Sequence, residues 1–194
     1  MRARILEAVG SIIVRDGVSA IGVNALAREA DCDKVLIYRY FGGLDGVYAA
    51  FAAGSDFWWN VEELTAGIDP SALPVAGAIK TILRRHARAL RARPVTLAVL
   101  AAELAARTPL VIALETVRER RALELSNWIG EHYRLPASVD AEAIGMLLGV
   151  AINYLSVRAR TVQVMSGVRI KTMRDWERIF AAIDVLIDGA LGIR

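Results

Sequence analysis

The stretch Leu26–Phe41, LAREADCDKVLIYRYF, limits the possible folds of this chain more than any other. It reads as the second half of one helix, a tight turn and a second, short helix. A helix over 22–30 places Val23, Leu26, Ala27 and Ala30 on an inward stripe. Asp31-Cys32-Asp33 then interrupts the pattern, with Cys32 acting as a small apolar residue in the turn. Asp33 stands where its carboxylate can accept the free amide hydrogens of a new first turn. Ile37 and Phe41, four apart, face inward on the second helix, and Gly42-Gly43 ends it.

The flanking sequence continues in the same period. Ile5, Val9, Ile12 and Ile13 mark a first helix that stops at Asp16-Gly17. A fourth helix is expected from Leu44 to Trp59. After the turn-rich Gly67–Ser71, helices are expected over 75–92, from Pro94 to about Arg107, and from Thr108-Pro109 to about His132. A further one opens at Pro136-Ala137-Ser138 and reaches about 166–167. The last starts at Thr172, whose spacing to Asp175 fits a capping box, and ends near Gly192. No segment carries a strand pattern, and there is no internal repeat. The expected fold is all-α, with about nine helices: an N-terminal three-helix domain over 1–45 and a larger helical domain over 46–194.

Composition narrows the partners. The 194 residues are 55% hydrophobic with a mean hydropathy of +0.39, which exceeds what a core of this size needs and points to oligomerisation or an internal cavity. No membrane span is expected, because 95–114 is interrupted by Glu103 and Arg107 and 143–157 is too short. Glu7 and Arg15-Asp16-Gly17 argue against a signal peptide, and a single cysteine argues against a disulfide framework, so a cytoplasmic protein is expected. The net charge is +3, yet residues 1–50 hold six basic and six acidic side chains and are neutral.

No catalytic constellation, phosphate loop or zinc spacing is present, so no enzyme activity, cofactor or metal is expected. His86 and His132 lack partners at metal-ligand spacing and read as surface residues. The run Lys80, Arg84, Arg85, Arg88, Arg91 and Arg93 reads as a solvated helix face.

A helix-turn-helix reads DNA by bracing its first helix on the backbone and offering the second helix's N-terminal side chains to base edges. Here Lys34 could donate to guanine or phosphate, Tyr38 to phosphate, and Val35 or Leu36 could pack on a thymine methyl, with Arg39 alongside. From Ile5 to Phe51 the order ILEAV, Gly17, LAREA, DKVLIYRYF, then Val47 and Phe51, resembles the N-terminal domain of TetR-family regulators. The resemblance implies DNA contacts from Asn24, Lys34, Val35, Leu36, Tyr38, Arg39 and Tyr40. It also implies a double-stranded operator, a homodimer and a small-molecule effector.

Four positions depart from the family pattern. Gly22 stands where Ser or Thr caps helix 2, Asp31 where Gly makes the turn, Asp33 where Ser opens helix 3, and Leu44 where Lys opens helix 4. All four remove phosphate contacts or add negative charge, and each lost charged contact costs about 1.5–3 kcal/mol.

The resemblance further implies that the two C-terminal helices pair with their twofold mates. The stripes that would do so hold Ile144, Leu147, Leu148, Ala151 and Leu155 on one and Trp176, Ile179, Phe180, Ile183, Ile187 and Ala190 on the other. Candidate effector contacts are Phe57, Trp58, Leu97, Leu100, Leu104, Trp128, Met146 and Tyr154, with Glu103, Asn127 and Asn153 as polar anchors, a set suited to an apolar ligand. The function implied is a ligand-responsive repressor on a palindromic operator. The second expectation is a relative without operator binding that acts as a small-molecule-binding or protein-interaction module.

Overall fold

The computed structural model describes residues 1–54 and 57–192. Ten α-helices carry most of it: α1 Arg2–Asp16, α2 Val23–Glu29, α3 Lys34–Phe41, α4 Leu44–Ala52, α5 Val61–Thr65, α6 Val75–Arg91, α7 Pro94–Glu103, α8 Pro109–His132, α9 Ala141–Arg158 and α10 Met173–Ala190. The all-α expectation holds. A short 3-10 turn, Val18–Ala20, joins α1 to α2, and the strands β1 Val164–Met165 and β2 Val168–Arg169 stand between α9 and α10.

The chain forms two compact units. The first comprises 1–58 and 93–120, so α4, α7 and the first half of α8 pack with the N-terminal helices. Helix α1 is its centre and touches α2, α4 and α7. Ile5, Val9, Ile12 and Ile13 are fully buried there with Leu26, Ile37, Val47, Leu100, Leu110 and Leu114. Two arginines fasten α1 to the end of α2. Arg4 donates to the Ala30 carbonyl at 2.6 Å, and Arg15 forks onto Glu29 at 3.1 and 2.8 Å. At the junction of α3 and α4 a side chain on Gly46 would collide with the Phe41 carbonyl, so only glycine lets the two helices meet so closely.

The second unit comprises 59–92 and 121–194, with α6 packed against α5, α9 and α10. Apart from the exposed Arg88, the basic run on α6 is not a solvated face. Lys80 pairs with Asp188 at 2.5 Å, and Arg84 forks onto Asp184 at 2.8 and 2.7 Å. Arg85 donates to the Leu64 and Ala66 carbonyls, and Arg91 to that of Lys171. The guanidiniums of Arg84 and Arg91 also lie over the Phe180 and Trp176 rings, at 5.1 and 5.5 Å. Matching basic residues one turn apart to Asp184 and Asp188 one turn apart makes a ladder between α6 and α10, which inspection of one helix alone could not reveal.

Four boundaries differ from expectation, one of them the end of α7 at Glu103 rather than near Arg107. Helix 4 stops at Ala52, before Gly54, and a separate α5 capped by Asn60 follows; Ser55 and Asp56 of the expected helix lie outside the described residues. Helix α9 begins at Ala141, capped by Asp140, and ends at Arg158. Val164–Met165 and Val168–Arg169 beyond it form a hairpin built on the β-branched Val164 and Val168, where no strand was expected. Ser166 and Gly167 both have positive φ, 48° and 77°, the pairing that a two-residue hairpin turn requires. The capping box at Thr172 and Asp175 is formed as expected. The 18 residues of α9, mean hydropathy 1.2, are by length and composition enough to cross a membrane; expecting only 143–157 missed this, because the helix is longer at both ends.

Candidate functional site

The short helix α3 is held by one fully buried anchor, Ile37. Asp33 accepts a hydrogen bond from the Val35 amide at 2.8 Å, and Gly42 closes the far end in the left-handed conformation. Lys34, Val35, Tyr38 and Arg39 are then left together on the outward arc, with Val35 62% and Tyr38 55% exposed. No described residue pairs with the charge of Lys34 or Arg39. Asn24, in the first turn of α2, is also exposed. Leu36 is half-buried, and Tyr40 is exposed on the other flank, its ring edge-on to Phe41 with centroids 6.5 Å apart. The structure thus brings Lys34, Val35, Tyr38 and Arg39 onto one face and leaves Leu36 and Tyr40 beside it.

The charge around this face is mixed. Arg4 and Arg15 are committed to bracing, and Arg2 lies over the Phe41 ring at 5.2 Å. The Asp31 side chain is 95% exposed and sits in the turn at φ 46°, the left-handed region where glycine is easier. The Asp33 carboxylate occupies the positive end of the α3 dipole, which would otherwise attract a phosphate. Gly22 and Gly43 cap α2 and α4 without any side-chain bond. Cys32 is half-buried in the turn.

The candidate effector residues fall in different units. Trp58, Leu97 and Leu100 are buried in the first, whereas Leu104 follows the end of α7 and is 73% exposed, which does not suit a pocket wall. Glu103 is taken by Arg118 at 2.6 Å. Trp128, Asn153 and Tyr154 belong to the second unit, where Trp128 stacks on the exposed His132 at 4.5 Å and Tyr154 stands exposed on α9.

Asn153 has a different company from the one expected. The Trp59 indole N–H donates to Nδ1 of His86 at 2.7 Å, so His86 carries its hydrogen on Nε2 and donates it to Asn153 Oδ1 at 2.9 Å. Expecting a surface histidine at 86 was wrong, since it is 5% exposed. Burial pushes the imidazole pKa down to about 4. The signal was available: His86 stands at helical spacing from Ile82, Leu83 and Leu90, on the inward stripe of α6. Three residues beyond Asn153, the buried Ser156 hydroxyl has no hydrogen-bond partner among the described residues.

The expected pairing stripes also divide. Trp176, Phe180, Ile183 and Ile187 are buried within the second unit, and Ile179, Leu148 and Leu155 are half-buried. The four buried side chains are core of a single chain, because α10 turns that face to α6. The apolar residues left outside are Met146, Leu147, Val150 and Tyr154 on α9 and Val185 and Leu186 on α10.

An N-terminal helix-turn-helix followed by a helical body defines an all-α fold of the TetR type. A Rhodococcus sp. protein assigned to the TetR family superposes with a TM-score of 0.70 at 17% identity, over 96% of this chain and 98% of that one. A fatty acid degradation regulator from Bacillus halodurans gives 0.63 at 16% identity, over 98% and 93%. A TetR-family transcriptional regulator from Haemophilus influenzae gives 0.62 at 17% identity, over 98% of each chain. No family model and no curated protein matches the sequence.

Proposed function

We propose that the chain is a homodimeric, ligand-responsive transcriptional repressor. Residues 1–45 contact a palindromic operator, and 46–194 serve the effector and the dimer. The observation that carries this reading is the uncovered face of α3. Val35 and Tyr38 remain large and exposed beside two cations, on a helix rigidly held by Ile37, Asp33 and Gly42. A twofold pairing would set two such helices about 34 Å apart, one turn of DNA.

The exposed apolar residues of α9 and α10 support the homodimer, and the partnerless Ser156 hydroxyl beside the Trp59–His86–Asn153 trio supports a small, largely apolar effector with a polar anchor. The fatty acid degradation regulator of like fold is in keeping with that ligand class. Release follows if the effector binds better to the state whose reading helices are wrongly spaced.

The second reading, a relative without operator binding, is favoured by Asp31 and Asp33 beside the reading face. Selection from random-sequence duplexes at low salt separates the two. Recovery of a palindromic site supports the repressor. Failure to enrich any site leaves the protein as a binding module.

A further inference from the structure

Ser156 carries a buried hydroxyl that its own helix could satisfy and does not. A serine or threonine inside a helix commonly returns its hydrogen to the carbonyl four residues back. Thr65, Thr81 and Thr116 do so, to Val61, Gly77 and Ile112 at 2.8, 2.8 and 3.0 Å. Ser156 is 1% exposed and makes no such bond. Alanine would spare the cost of a buried hydroxyl left without a partner, so a hydroxyl kept here has a use outside the fold.

Asn153, about one turn before it on α9, also has hydrogens to offer. Trp59 donates to His86 Nδ1, so Nε2 carries the ring hydrogen and only the Asn153 carbonyl oxygen can receive it. The Asn153 amide nitrogen is therefore turned from the ring, and no described residue accepts its two hydrogens. The Gly149 carbonyl also faces the His86 ring, and a side chain added at Gly149 would meet no atom within 4 Å. The face of α9 that is filled at Ile152 is thus open one turn earlier. Neither helix that builds this place brings a cation to it. On α6, Lys80 and Arg84 pair with α10, Arg85 and Arg91 donate to backbone carbonyls, and Arg88 is exposed. On α9 the charged residues are Glu142 and Arg158, at its two ends.

Taking the chain to be ligand-responsive, we propose that the effector's anchored group is an uncharged carbonyl, as in an ester, amide or lactone, and not a carboxylate. Its oxygen accepts from the Ser156 hydroxyl and the Asn153 amide, and its apolar body runs over Gly149. Residues three apart on a helix have Cβ atoms about 5–6 Å from each other, close enough for one oxygen to reach both donors. A carboxylate would be buried there without a counter-charge, which two neutral donors do not repay.

The test is isothermal titration of the full chain, without DNA, with methyl octanoate and methyl dodecanoate and with octanoate and dodecanoate. At least one ester is expected to bind, at least about tenfold more tightly than its carboxylate. Ser156→Ala should weaken that ester about 3–10-fold, the worth of one neutral hydrogen bond, without lowering the melting temperature of the free protein. Asn153→Asp keeps an acceptor for His86 but turns an oxygen to the ester, and should weaken it further. The proposal is overturned if neither ester binds, if the carboxylates bind as tightly, or if Ser156→Ala leaves ester affinity unchanged. Operator release is scored separately. An ester that binds through Ser156 but leaves operator affinity unaltered upholds this site and fails the repressor reading. An operator recovered by selection, with no ester binding, fails this site alone.

Discussion

Asp33 does two opposed things at once. Its carboxylate caps α3 through the Val35 amide, and its charge stands where an incoming phosphate would be attracted. Serine would keep the cap and remove the charge. Asp33→Ser should therefore leave the melting temperature nearly unchanged, tighten DNA binding by about 3–10-fold through roughly 0.7–1.4 kcal/mol, and steepen its salt dependence. Equal affinity and salt slope in fluorescence anisotropy would show that the α3 N-terminus does not approach the backbone.

His86 supplies a second residue-scale consequence. Its folded pKa, about 4, lies below its ordinary value of 6.5, so the unfolded chain takes up a proton that the folded one refuses. The stability this represents is complete above pH 6.5 and is lost as pH falls toward 4, by about 1.4 kcal/mol per unit. Urea denaturation should show that slope, and His86→Gln should flatten it.

At the scale of elements, the second unit depends on how α6 meets its neighbours. The Lys80–Asp188 and Arg84–Asp184 pairs close one side, while Trp176, Phe180, Ile183 and Ile187 fill the space beneath. The Arg84 guanidinium holds the Asp184 carboxyl below its ordinary range. The pair is partly shielded from water, and its loss would leave Arg84 with no forked partner. Asp184→Asn should cost about 1–3 kcal/mol of unfolding free energy, between the values for exposed and buried pairs. The loss should shrink in high salt, where exposed charges are screened. A change below ~0.5 kcal/mol would mean that the ladder serves geometry more than stability.

At the scale of the whole molecule, the exposed apolar residues of α9 are the natural place to disturb association without disturbing the fold. Leu147 is 62% and Val150 55% exposed, so Leu147→Glu with Val150→Glu removes no core contact. In the proposed homodimer the double variant should run as a monomer in light scattering, with an unchanged far-ultraviolet circular dichroism spectrum, and should lose operator binding. An unchanged dimer mass would move the interface elsewhere. Trp176→Ala is the contrasting case, because its indole is fully buried and its loss should cost about 3–5 kcal/mol of stability outright.

The sequence by itself determined what is written locally. The helical period of Ile5 to Ile13, the turn at Asp31-Cys32-Asp33, the cap at Asp33, the capping box at Thr172 and the outward arc of Lys34, Val35, Tyr38 and Arg39 all follow from neighbours within a few residues. Local spacing could not say which of two apolar faces meets which partner. Thus Trp176 and Phe180 resembled an outer stripe although α6 covers them, His86 resembled a surface residue although Trp59 and Asn153 close on it, and Lys80 and Arg84 resembled a solvated face although Asp188 and Asp184 stand opposite. Each of these depends on side chains about 27–108 residues apart in the chain being brought within hydrogen-bonding reach, which only the tertiary structure does.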